Sequence, residues 1–182
     1  MKGKQPLVLM LLLILSVLVS LQVVPPSLAT PNTVGTTTVN TATQFPFQRK
    51  AFYANGRFWI FYSDGTNIVY QTSTDGSSWS DATTVRAGDN GGHFSVWFNG
   101  THLHYVYSKS GYIDEPILYR MGTPNSDGTI TWSASEQTAV AGATDVFHGY
   151  ASICVDSSGY PFITYIRWPY GGNRYPYVTK SQ

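Results

Sequence analysis

At 182 residues, with 11 basic against 10 acidic side chains, the chain has the length of one ordinary domain and a formal net charge of only +1. It lacks the basic excess that neutralising phosphates requires, which excludes nucleic acid as a partner and a polybasic hold on a membrane surface. Aromatic residues reach 15% while charged ones stop at 12%, a balance that suits pleated, half-buried strands.

The chain opens with Lys2 and Lys4, an apolar run from Leu7 to Val24, a Pro25-Pro26 break and the small-residue site Ser27-Leu28-Ala29. This is the pattern of a secretory signal peptide over residues 1–29. Left uncleaved, the same run is long enough to anchor the chain in a bilayer, its one expected route to a membrane. Either way the remainder is expected to be secreted or held at the cell surface. Residues 30–44 are nearly all Thr, Asn, Gly and Ala. They predict a flexible Thr-rich linker with too little apolar content to bury.

From Phe45 onward no helical period is sustained, and short apolar strands alternate with turns. Ala51–Tyr62 reads as strand, Asn55-Gly56 turn and strand, and Ser95–Tyr107 repeats it around Asn99-Gly100. Tyr150–Ile166 makes a third copy around the longer Asp156–Gly159 turn. Asn-Gly between alternating apolar runs is a hairpin signal, because both central residues of the tight turn need positive φ. A third strand follows in each copy, at Ile68–Thr72, Ile117–Met121 and Tyr175–Lys180. The first two copies then add a turn and a tryptophan, Trp79 or Trp132. The lone Cys154 can form no intrachain disulfide and, lying in the apolar stretch 151–155, is expected as a buried strand residue. Four-strand repeats spaced by roughly 45–55 residues predict β-propeller blades. An immunoglobulin-like sandwich also strings short strands together, but it does not predict a four-strand repeat.

Ser73-Thr74-Asp75-Gly76-Ser77-Ser78-Trp79 and Asn125-Ser126-Asp127-Gly128-Thr129-Ile130-Thr131-Trp132 resemble the Asp-box of sialidase-like (BNR-repeat) β-propellers. The pattern of that family is Ser-x-Asp-x-Gly-x-Thr-Trp, and both copies here set the glycine one place early. The resemblance covers residues 49–182. It implies an all-β, partial β-propeller of two to three four-stranded antiparallel blades from a six-blade ring. The blades would span residues 45–88, 89–142 and 143–182, the last without its fourth strand and box. In each box the carboxylate, Asp75 or Asp127, would accept backbone N–H bonds, with Ser73 beside it in the first. Gly76 or Gly128 would supply the left-handed dihedral, and Trp79 or Trp132 would pack beneath the hairpin. An open array leaves sheet faces uncovered, so further blades or self-association are expected.

In the layout of that family, ligands meet the loops between blades and between second and third strands. The first set offers Arg49, Asp89, His93, Asp145 and His148, a candidate polar cup, although Asp and His in such segments also suit bonding to turn backbone. The second set offers Arg167, Trp168, Tyr170 and Arg174, where aromatic faces suit sugar C–H groups and guanidinium suits a carboxylate. The alternative for Trp168 and Tyr170 is packing against a next blade. No ligand-rich spacing points to a metal, and no cofactor is expected. Arg49 is also the candidate first arginine of a sialidase-type carboxylate grip, but Lys50-Ala51 follows it where that family has Ile-Pro. Asp114 and Glu115 are adjacent and do not form an acid–base pair across a substrate.

The sequence therefore predicts an exported module that recognises glycans or surface polymers and is non-catalytic as it stands. The alternatives are the amino-terminal part of an exo-sialidase-type glycoside hydrolase and a structural surface or adhesion repeat. Asn99-Gly100-Thr101 is a glycosylation sequon on a hairpin tip, and equally a turn sequence that ends in Thr.

Overall fold

The computed structural model describes residues 30–89, 91, 93–109 and 111–181, so the expected signal peptide or anchor over 1–29 lies outside the described residues. Asn32–Gln182 form one compact unit. Among the described residues, twelve strands build three antiparallel sheets, none of them closed, and no helix occurs.

The first sheet runs β1 (Ala51–Ala54), β2 (Arg57–Ser63), β3 (Ile68–Ser73) and β4 (Thr83–Arg86) in chain order. Its first hairpin closes on Asn55 and Gly56 at φ 51° and 76°, the left-handed pair that a tight hairpin turn demands. The second sheet runs β5 (Phe94–Phe98), β6 (Leu103–Ser108) and β7 (Ile117–Pro124). Its outer strand is split in two. Both β8 (Ile130–Trp132) and β9 (Gln137–Val140) pair with β7, at Gly122–Pro124 and Ile117–Tyr119 respectively. The third sheet has the three strands β10 (Val146–Val155), β11 (Pro161–Pro169) and β12 (Tyr175–Lys180).

The second sheet is the middle layer. One face, through Phe94, Val96, Leu103, Tyr105 and Tyr107, packs on Trp59, Phe61, Ile68 and Tyr70 of the first sheet. Its other face, through Val106 and Ile117, packs on Ala151, Ile153 and Ile163 of the third. Strand alternation explains why Tyr105 and Val106 serve opposite interfaces. The same alternation corrects the expectation for Cys154, which is exposed. Ala151 and Ile153 turn inward, so Cys154 turns out.

Residues 32–44, expected as a free linker, lie along the first sheet on its other side. The Thr38 N–H donates to the Asp64 carbonyl at 3.1 Å and the Ser63 N–H to Ala42 at 3.1 Å. At Gly35 the Tyr62 hydroxyl leaves no room for a Cβ. Backbone rather than apolar side chains makes these contacts, which composition does not register. Beyond them, Gln48 is buried and donates to the Ala151 carbonyl at 2.7 Å, while Arg49 accepts from the Val96 N–H at 2.9 Å. The chain entering β1 thus ties the leading strands of all three sheets together.

Candidate ligand-binding face

An antiparallel meander puts its turns at two ends. The Asn-Gly hairpins and the Asp-Gly turns share one end, and the loops 64–67, 109–116 and 170–174 share the other. At the first end, Asp75 accepts N–H bonds from Ser77 at 2.7 Å and Ser78 at 2.8 Å, and the Ser73 hydroxyl at 2.9 Å. These bonds hold its carboxyl down to about 2. Asp127 accepts from the Thr129 N–H at 2.9 Å and hydroxyl at 2.7 Å, bonds that likewise lower its pKa. Gly76 and Gly128 sit at φ 73° and 93°. Trp132 packs against the first core cluster. Trp79 is only half-buried, along a cleft with Phe58, Ile60 and Gly76, and does not lie sealed beneath its hairpin.

One role of the second turn is invisible in the sequence. Asn55 donates to the Pro124 carbonyl at 2.6 Å and Arg57 to that of Ser126 at 2.7 Å. The first sheet's hairpin is therefore clamped to the second sheet's turn, and both features are structural.

At the loop end the expected polar cup does not assemble. Asp89 accepts the Tyr107 hydroxyl and the Gly91 N–H, and lies 3.8 Å from Arg86. Arg86 in turn pairs with Glu136 and covers the Tyr107 ring at 4.1 Å. Asp89 thus belongs to an ionic network between the first two sheets. Arg86, Tyr107 and Glu136 come from three separate stretches, so nothing local in the sequence announces it. His148 is 2% exposed, turned toward the second sheet, with Nδ1 3.2 Å from the Glu115 carbonyl and Tyr165 edge-on beside it. Asp145 is held by its backbone, its N–H donating to Asp114 and its carbonyl accepting from the Tyr170 N–H, both at 2.7 Å. Arg49 lies over the Trp97 ring at 3.8 Å.

His93 is half-buried, its ring 4.8 Å from Phe45 and 6.4 Å from Tyr150. Burial lowers its pKa; the nearby Lys50 adds to this and Asp89 opposes it. Burial also brings the Lys50 amine down to about 7, where it lies against the Phe94 ring and carbonyl.

Of the second expected group, Trp168, Tyr170 and Arg174 come together and Arg167 does not. Phe147 and Trp168 face each other across β10 and β11, their rings 4.9 Å apart and within 8° of parallel. Tyr170 extends the row beyond Phe147 at 6.3 Å, and Tyr150 beyond Trp168 at 6.3 Å. Tyr150 reaches this row through a β-bulge: the register slips between Gly149 and Ser152, and Tyr150 takes φ 58°. Arg174 stands 5.4 Å from the Trp168 ring. Arg167 pairs with His148 across the strands and so lies on the opposite face, over Tyr177 at 5.6 Å. The two arginines do not converge.

Two carboxylates of the loop between β6 and β7 are already engaged. Asp114 accepts the Asp145 N–H at 2.7 Å, and Glu115 pairs with Lys109 at 3.0 Å. Among the described residues no cluster of His, Cys, Asp and Glu has the makings of a metal centre. No protein-family model and no curated protein matches this chain.

Proposed function

We propose that this chain is an exported, sialidase-like β-propeller module that recognises carbohydrate through the loop end of its third sheet. The observation that carries the reading is the row Tyr170–Phe147–Trp168–Tyr150 with Arg174 beside it. Tyr170 is 74% exposed at the end of that row, with the exposed Tyr112 and Ile113 on a neighbouring loop. An aromatic face offers a pyranose its C–H groups at low entropic cost, and a guanidinium beside it selects hydroxyl or carboxylate oxygens. Binding rather than hydrolysis is favoured because hydrolysis needs two carboxyl groups flanking a substrate. Asp114 and Glu115 are instead spent on the loop itself. The succession of four-, five- and three-stranded antiparallel sheets, each packed on the last, supports the blade-like reading.

The test is binding of the exported protein to immobilised oligosaccharides with and without a carboxylate. Tyr170→Ala should weaken binding about tenfold, or about 1.4 kcal/mol. Arg174→Ala should act selectively on the acidic sugars. Absence of binding, or binding unchanged in Tyr170→Ala, refutes the proposal.

A further inference from the structure

The outermost ring of the aromatic row has the least side-chain packing to hold it. Tyr170 is 74% exposed and lies just past the end of β11 at Pro169, so its place beyond Phe147 is set by its backbone. Two bonds fix that backbone. The Gly172 N–H donates to the Pro169 carbonyl at 2.9 Å, with Gly171 at φ 71°. This is a β-turn with Tyr170 at its second position and the left-handed residue at its third. The Tyr170 N–H then donates to the Asp145 carbonyl at 2.7 Å. Asp145 is itself constrained. It takes φ 58°, a conformation that a residue with a side chain keeps only where its surroundings hold it.

What holds Asp145 comes from the second sheet. Its N–H donates to Asp114 Oδ1 at 2.7 Å, and Asp114 stands on the loop between β6 and β7. That loop is docked on the segment leading into β10. The Asp114 N–H donates to the Val146 carbonyl at 3.0 Å, Ile113 forms a bridge with Phe147, and the Glu115 carbonyl lies 3.2 Å from His148 Nδ1. Asp114 is left-handed too, at φ 64°. The two backbones approach so closely that a Cβ on Gly142 would stand 2.0 Å from the Asp114 carbonyl oxygen. The carboxylates of Asp75 and Asp127 bond N–H groups of their own turns, whereas that of Asp114 reaches a residue 31 positions along the chain. The residue it holds passes the constraint on to Tyr170.

We propose that Asp114 is a positioning residue of the carbohydrate site: acting through Asp145, it sets the backbone of Tyr170 and presents that ring ready-placed. An anchor held in its bound position beforehand loses less affinity to ordering when the ligand arrives. The inference rests on the carbohydrate reading and adds a second sheet to it. The sugar meets side chains of the third sheet, while the support for its outermost contact comes from a loop of the second.

Asp114→Gly tests this, because glycine accepts a left-handed φ and the change removes only the carboxylate. In the exported protein, exchange of the Tyr170 amide with water, followed by NMR, should quicken severalfold. Binding to immobilised oligosaccharides should weaken about fivefold, the worth of one net hydrogen bond. Asp114→Asn keeps the tolerance of a left-handed φ and an acceptor oxygen, and should hold both readings within about twofold of the parent. Gly142→Ala displaces Asp114 from the other side of the contact and should reproduce the effect of Asp114→Gly. The two combined should do no more than either alone, since both act through one contact. Tyr170 exchange unchanged in Asp114→Gly overturns the proposal, as does quickened exchange with sugar binding at the parent's level. Failure of Asp114→Asn to restore both readings overturns it as well. A parent protein that binds no oligosaccharide refutes the carbohydrate reading instead, and amide exchange alone then decides whether Asp114 positions Tyr170.

Discussion

His104 gives the fold a pH dependence that can be worked out from its surroundings. It is 1% exposed on β6, with Nδ1 2.8 Å from the Tyr119 hydroxyl and Nε2 3.1 Å from Asn99 Nδ2. The Asn99 carboxamide is oriented by its oxygen, which accepts the N–H groups of Thr101 at 3.0 Å and His102 at 2.8 Å. Nδ2 can only donate, so Nε2 accepts and the proton of the neutral ring sits on Nδ1. Burial, with His102 adding, lowers the pKa from 6.5 to about 4. Between those values the unfolded chain binds one more proton than the folded one, so stability falls as pH falls through the window. The span is worth roughly 3 kcal/mol in full, of which about 2.5 kcal/mol is lost between pH ~7 and pH ~4.5. His104→Gln keeps polar reach toward its neighbours and removes the titration. Urea unfolding of both proteins at the two pH values should show the parent declining more steeply by about that amount. His93, also lowered by burial, contributes to both proteins alike. An equal decline in parent and variant would refute the argument.

Two further outcomes follow from side chains placed differently from expectation. Because Trp79 is half-buried, Trp79→Ala should cost about 1–2 kcal/mol in a thermal melt, against roughly 3–5 kcal/mol for a sealed tryptophan. A loss in the upper range would show that the cleft is covered in solution. Asn99 uses its Nδ2, the atom a glycan would occupy, against the buried His104 ring, so the protein should leave a glycosylating host unmodified there. An intact mass raised by a glycan at Asn99 would contradict that role for the amide.

What was legible in the sequence is what is local in the structure. Asn55-Gly56 and the Asp75 and Asp127 turns announce themselves because positive φ and a carboxylate that accepts the N–H groups two or three residues on are properties of a few consecutive residues. Strand alternation within β6 is equally local, and it sorts Tyr105 from Val106 without reference to the rest of the chain. The failures fall where one extra residue or one distant partner decides. His148 reads like His93 in its segment, yet alternation along β10 sends it under the sheet against Tyr165. The bulge at Tyr150 then brings that ring out to Trp168. Asp89 reads as a free loop carboxylate until Tyr107, eighteen residues on, donates its hydroxyl to it. The Thr-rich segment 32–44 is mostly exposed, as its small polar side chains suggest, but its backbone groups at Thr38 and Ala42 find partners at Asp64 and Ser63, which composition does not register. The placement of Trp168 and Tyr170 has a different origin. A meander of fixed direction sends every second-to-third-strand loop to the same end, so topology alone carries Tyr170 onto an exposed loop, while Trp168 is still in β11, half-buried against Phe147. That is also why Arg167 and Arg174, seven residues apart, separate: one still belongs to β11 and follows its alternation, while the other has left the strand and is free to turn toward Trp168.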